Sequence, residues 1–120
     1  MPLKNGQRSE ADEQATLFMW ASYIPELEFM YAVPNGGSRH PAEAANLKRQ
    51  GVKSGVPDIC LPLPRGEYHG LYIEMKVGKN KTSDNQNRWL AYLQKAGYAA
   101  YVCYGFDEAR KVISEYVKLR

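Results

Sequence analysis

Residues 55–77 read GVPDICLPLPRGEYHGLYIEMKV, and this stretch decides how the chain is built. It holds two apolar runs separated by a turn-rich segment. Asp58–Leu63 is short, and Pro62 and Pro64 mark its end as an edge or a bulge, because proline donates no hydrogen bond to a ladder. RGEYHG (65–70) reads as a loop, and Leu71–Val77 as the next strand. Alternate side chains of a strand share a face. Leu71, Ile73, Met75 and Val77 therefore form the core side, while Tyr72, Glu74 and Lys76 point the other way. A hairpin centred on Gly66 sets Leu61 opposite Leu71 and Ile59 opposite Ile73. On the other face it sets Cys60 opposite Tyr72 and Asp58 opposite Glu74. A slip of one residue would destroy this match of apolar with apolar.

Two carboxylates directly opposed on a sheet lie about 5 Å apart and repel. Lys76 can offset the repulsion; a divalent cation offsets it better, and hard oxygen donors select Mg²⁺ or Mn²⁺. Two acids and a lysine on one open face fit a phosphodiester-hydrolysis site, in which the metal acidifies water and neutralises phosphate charge. The same residues also fit a surface ion pair between Glu74 and Lys76, with Asp58 capping a turn. Asp-x(n)-Glu-x-Lys is by itself a degenerate pattern.

Working outward, the first eight residues read as a loose arm. Ser9 is an N-cap followed by acids in the first turn (Glu10, Asp12, Glu13), and the helix should stop before Pro25. Glu28–Val33 reads as a strand closed by the turn PNGG (34–37). Pro41 opens a second helix that ends at Gly51. Ser83 and Gln86 match a capping box for a third helix, which ends at Gly97. Tyr98–Tyr104 is the fourth strand, and Asp107 opens a last helix with Ala109, Val112, Ile113 and Tyr116 at helical spacing. The order is α-β-α-β-β-α-β-α, an α/β fold with a small mixed sheet of about four strands flanked by helices.

The chain has 120 residues, the length of one domain, with 44% hydrophobic and 24% charged residues, which excludes wholesale disorder. The net charge of +3 is compatible with nucleic acid without indicating it. No apolar run is long enough to span a membrane, and the start MPLKNGQRSEADEQ carries no hydrophobic signal region, so an intracellular, cytoplasmic location is expected. Cys60 and Cys103 sit in strand-like runs and read as buried thiols; His40 and His69 read as surface residues.

Taken together, the pieces resemble a family. PNGG at 34–37, LKRQG at 47–51, GVPD at 55–58, EMK at 74–76 and Gln86 within SDNQNRWLAYL look like the PD-(D/E)xK nuclease superfamily, and more narrowly its VRR-NUC (virus-type replication-repair nuclease) domain. The match runs from about Ser9 to Gly105 and resembles the stand-alone phage and bacterial type, with residues 1–120 forming one such domain. The resemblance implies a restriction-endonuclease-like core and a site in which Asp58, Glu74 and the Met75 backbone carbonyl ligate the metal. It implies Lys76 as the catalytic lysine, Glu13 as a helix acid holding metal or its water, and Gln86 as a residue positioning Lys76 or the phosphate. Glu13 also suits its own helix N-terminus, and Gln86 also suits the capping box.

Phosphate contacts dominate nucleic-acid affinity. Arg39, Lys48, Arg49 and Lys53 flank GVPD, and Lys79, Lys81 and Arg88 flank EMK. No base-reading motif is visible, so recognition of DNA shape is expected. In the fourth strand Tyr101 faces opposite to Tyr98 and Tyr104; one set suits the core and the other a dimer surface. The expected activity is a metal-dependent DNA endonuclease acting on branched DNA such as four-way junctions, as a homodimer, with no small-molecule cofactor beyond the metal. The alternatives are a nuclease for flaps or ordinary duplex, a non-catalytic nucleic-acid-binding module, and an interaction protein whose acids and lysine are a salt-bridge cluster.

Overall fold

The computed structural model describes residues 8–34 and 40–120. Its elements are α1 (Glu10–Ala21), β1 (Tyr31–Ala32), α2 (Pro41–Arg49), β2 (Ile59–Leu61), β3 (Leu71–Lys76), α3 (Asp84–Lys95), β4 (Ala99–Tyr104) and α4 (Phe106–Val117), with a 3₁₀ turn at Pro25–Leu27. The four strands form one sheet in the order β1-β2-β3-β4. The first two pairings are antiparallel, and β3 runs parallel to β4 with α3 as the crossover. The order of elements and the mixed α/β class are those read from the sequence.

The β2–β3 register is also the expected one: Ile59 pairs with Ile73, Cys60 with Tyr72 and Leu61 with Leu71. β2 stops at Leu61 because Pro62 brings no N–H to the ladder. β1 is shorter than the expected Glu28–Val33. Pro25 starts a 3₁₀ turn, and the N–H groups of Leu27, Glu28 and Met30 donate to Ile24, Pro25 and Leu27, so this backbone turns instead of pairing. The N–H of Val33 then donates to the Asp58 carbonyl at 2.7 Å, which fixes Asp58 one position before β2.

Helices cover both faces of the sheet. α1 and α4 pack on one face, where Leu17 and Ala21 meet Ile59, Leu61, Leu71, Ile73, Met75, Cys103, Ala109 and Ile113. α3 packs on the other through Leu90 and Leu93 against Ala100, with Tyr72, Tyr98 and Val102 around them. This second layer corrects the expectation of an open face around Glu74 and Lys76. Both side chains are buried, Glu74 to 1% exposure and Lys76 to 9%.

Three local devices hold the layers in place. Ser9 caps α1, accepting from the Asp12 N–H, and Arg8, read as part of the loose arm, is tied to α1 through Thr16 and Glu13. Residues 1–7 of that arm, and 35–37 of the PNGG turn, lie outside the described residues. Ser83 and Gln86 form the expected reciprocal capping box on α3. Gly55 carries φ +92°, and a Cβ there would come within 2.7 Å of the Asn85 backbone, so this glycine lets the GVPD segment close onto the start of α3.

Both cysteines are buried and free. His40 and His69 are exposed, His40 as the α2 cap and His69 edge-on to Tyr98. Tyr98, Tyr101 and Tyr104 do not divide into a core set and a surface set as expected. Tyr98 packs on Tyr72, but Tyr101 and Tyr104 are both exposed, although they point to opposite faces. Tyr104 lies past the end of the α3 layer, and its hydroxyl donates to the Asn80 carbonyl.

Candidate active site

The ladder carries the site. Asp58 enters β2 next to the third rung of β3, and its Oδ2 accepts the Met75 N–H at 2.8 Å. This bond extends the β2–β3 pairing with a side chain and fixes the Asp58 carboxylate beside Glu74. The Met75 side chain is in the core, so only its backbone is left to the site. Glu74 Oε2 accepts from Gln86 Nε2 at 3.1 Å and lies 3.8 Å from Lys76 Nζ. Glu74 Oε1 is buried with no hydrogen-bond donor.

Gln86 serves both of its expected partners at once. Its Oε1 accepts from the Ser83 N–H at 2.9 Å, completing the cap, while its NH₂ donates to Glu74. The cap therefore fixes which end of the amide faces the site.

The electrostatics follow from burial. The Glu74 carboxyl is pushed up to about 8, first by loss of water, then by a hydrogen bond shared with Asp58 and by the Asp58 charge; Lys76 opposes the shift and Glu10 adds slightly to it. Glu74 is buried and Asp58 beside it partly so, and the Glu74 Oε1 that lacks a donor is satisfied by a proton or a cation. Among the described residues no three His, Cys, Asp or Glu side chains converge into a ligand cluster. The donor set here is two carboxylates with one orphaned buried oxygen. That set fits a hard divalent cation whose remaining positions are filled by backbone carbonyl and water oxygens.

Glu13 is engaged elsewhere. Its Oε1 accepts the Phe106 N–H at the start of α4 at 3.1 Å, and its Oε2 pairs with Arg8 at 3.0 Å. A carboxylate at a helix N-terminus meets donors and a favourable dipole, which accounts for this position. The α1 acid whose charge reaches Glu74 is Glu10, one turn earlier, and Glu10 also accepts from Asn80 Nδ2. Sequence reasoning missed Glu10, although it stands seven residues before the buried Leu17, on the inward stripe of α1.

Of the basic residues, Arg39 lies outside the described residues. Lys48, Arg49 and Lys53 are exposed on α2 and the loop after it, Lys79 and Lys81 on the β3–α3 connection, and Arg88 on α3. Lys48, Lys53 and Arg88 converge on one groove between α2 and α3. Arg49, Lys79 and Lys81 do not line it.

The family model of the VRR-NUC domain matches residues 9–107. The chain belongs to the VRR-NUC domain family. A solved structure described as a VRR_NUC domain protein is similar to it with a TM-score of 0.83 at 32% identity, over 95% of this chain and 92% of that one. No curated protein matches the chain. Membership makes this a nuclease-type domain, and the match takes in every element that builds the site, from Ser9 to the start of α4. No helix among the described residues is long and apolar enough to cross a membrane.

Proposed function

We propose that the chain is a metal-dependent, structure-selective DNA endonuclease that hydrolyses phosphodiester bonds, preferentially in branched DNA such as four-way junctions. The observation that carries this reading is the Glu74 carboxyl. It is buried beside Asp58 with one oxygen lacking a donor, and Lys76 stands next to it. An apolar residue would be the stable choice at such a position, so the acid is retained at a cost, which is common at functional sites.

In this reading Asp58, Glu74 and the Met75 carbonyl hold Mg²⁺ or Mn²⁺. The bound metal supplies positive charge to the phosphate and acidifies water. Lys76 presents its ammonium group to the reacting phosphate or to the water and stabilises developing negative charge. Gln86 keeps Glu74 in place through an amide locked by the α3 cap. Glu10 adds negative charge at the site's rim, while Glu13, for which the resemblance implies a hold on metal or its water, binds the Phe106 N–H and Arg8. Exposed lysines and arginines hold the DNA backbone.

The exposed Tyr101 and Tyr104 on the edge strand β4 support a homodimer, since tyrosine is enriched in interfaces and a twofold pair would offer two sites to the two strands of a junction. An intracellular location suits this activity.

The test is cleavage by the purified chain with Mn²⁺ of three labelled substrates: a four-way junction, a flap and a linear duplex. The junction is expected to be cut fastest. Faster cutting of the flap or the duplex would replace the substrate assignment, and cutting of none of them would overturn the nuclease reading.

A further inference from the structure

The groove between α2 and α3 has a volume of about 1020 Å³. Lys48, Lys53 and Arg88 line it together with Trp89 and Tyr92, and no acidic residue among those described lines it. Trp89 is half-buried against the α3–sheet cluster, whereas Tyr92 is 63% exposed. The two rings stand three residues apart and so share one side of the helix. Trp89 also lies three residues from Gln86, about 4.5 Å along the helix axis. The groove thus begins one turn from the amide that touches Glu74.

We infer that this groove takes a strand of the branched substrate whose base pairs next to the branch point have opened, with its phosphates on Lys48, Lys53 and Arg88 and its bases stacked on Tyr92 and the exposed part of Trp89. The inference rests on the nuclease reading and adds the form of nucleic acid that the protein grips. Three cations without an acid complement a polyanion. Aromatic planes at the surface of a cationic groove serve a strand whose base faces are free, because in a duplex those faces are already stacked. The groove is at the upper end of the range for small-molecule sites, roughly 300–1,000 Å³, and it is open, which suits an extended chain. A second copy of the chain seated here would have to bury the three cations without partners from this side.

Tyr92 is exposed, so Tyr92→Ala should fold, and Tyr92→Phe keeps the ring. The measurement is fluorescence anisotropy of a short labelled oligothymidylate with the full chain in EDTA, where no cleavage occurs. Tyr92→Ala is expected to weaken oligothymidylate binding at least about fivefold more than it weakens binding of a blunt duplex, and Tyr92→Phe to restore it. Lys53→Ala is expected to weaken binding and to flatten its salt dependence. Equal loss for both nucleic acids, or no loss, would overturn the inference. So would a Tyr92→Ala effect confined to self-association, which would assign the groove to a second copy. The binding is read without metal, so a protein that cuts nothing but shows the Tyr92 effect sinks the nuclease reading alone.

Discussion

Asp58→Asn, Glu74→Gln and Lys76→Met are each expected to lower DNA cleavage by about 10²–10³-fold or more, the effect of removing one group that stabilises developing charge. The reason is the same for all three: each removes a group that is charged once the metal is bound, while leaving a side chain of similar shape. Asparagine at 58 can still accept the Met75 N–H, so the β2–β3 ladder survives, whereas alanine would orphan that N–H at a cost of about 1–3 kcal/mol. Glutamine at 74 can still meet Gln86. Methionine at 76 keeps a long apolar stem in a position only 9% exposed. Single-turnover cleavage with Mn²⁺, alongside thermal melts of each variant, checks the prediction. A variant that folds normally and cleaves at the wild-type rate would remove that residue from the site.

The second expectation concerns pH in the absence of divalent cations. With its carboxyl held up to about 8, against an ordinary 4.5, Glu74 keeps a proton in the folded state that the unfolded chain releases. The unfolded state binds fewer protons between these values. The stability that this group contributes is therefore full below about pH 4.5 and is lost as the pH rises to about 8. The loss should amount to a few kcal/mol, since every tenfold change in proton affinity between the two states is worth about 1.4 kcal/mol. Glu74→Gln removes the titration. Its melting temperature is expected to match wild type near pH 5 and to exceed it clearly at pH 9, although the variant is inactive. Mn²⁺ at pH 8 should raise the wild-type melting temperature and leave the variant unmoved. Parallel curves for the two proteins from pH 5 to 9 would contradict the placement of Glu74 in a dry, acid-paired position.

The hairpin from Asp58 to Lys76 was legible because its two runs match in only one register and because prolines mark where pairing ends. Helix starts were legible for the same local reason: Ser9 and Ser83 carry oxygen atoms that accept from the next turn. What the sequence could not give was the side of the sheet on which a helix packs. Leu90 and Leu93 show that α3 has an apolar stripe, but nothing local says that it lies over Glu74 and turns an open face into a buried one. The choice between Glu10 and Glu13 was obscured in a similar way. Both lie on the inward stripe of α1 above Leu17, and only the position of the α4 N-terminus separates them, since it takes Glu13 for itself. Nothing in the sequence marks Trp89 and Tyr92 as groove residues, because a helix in isolation does not reveal that α2 stands across from it.

Titration calorimetry of Mn²⁺ into the wild-type chain and into Asp58→Asn and Glu74→Gln tests the central claim most directly. Binding to wild type that releases a proton near neutral pH and is lost in both variants is the predicted result. Binding of undiminished affinity in either variant would show that the paired carboxyls of β2 and β3 do not hold the metal.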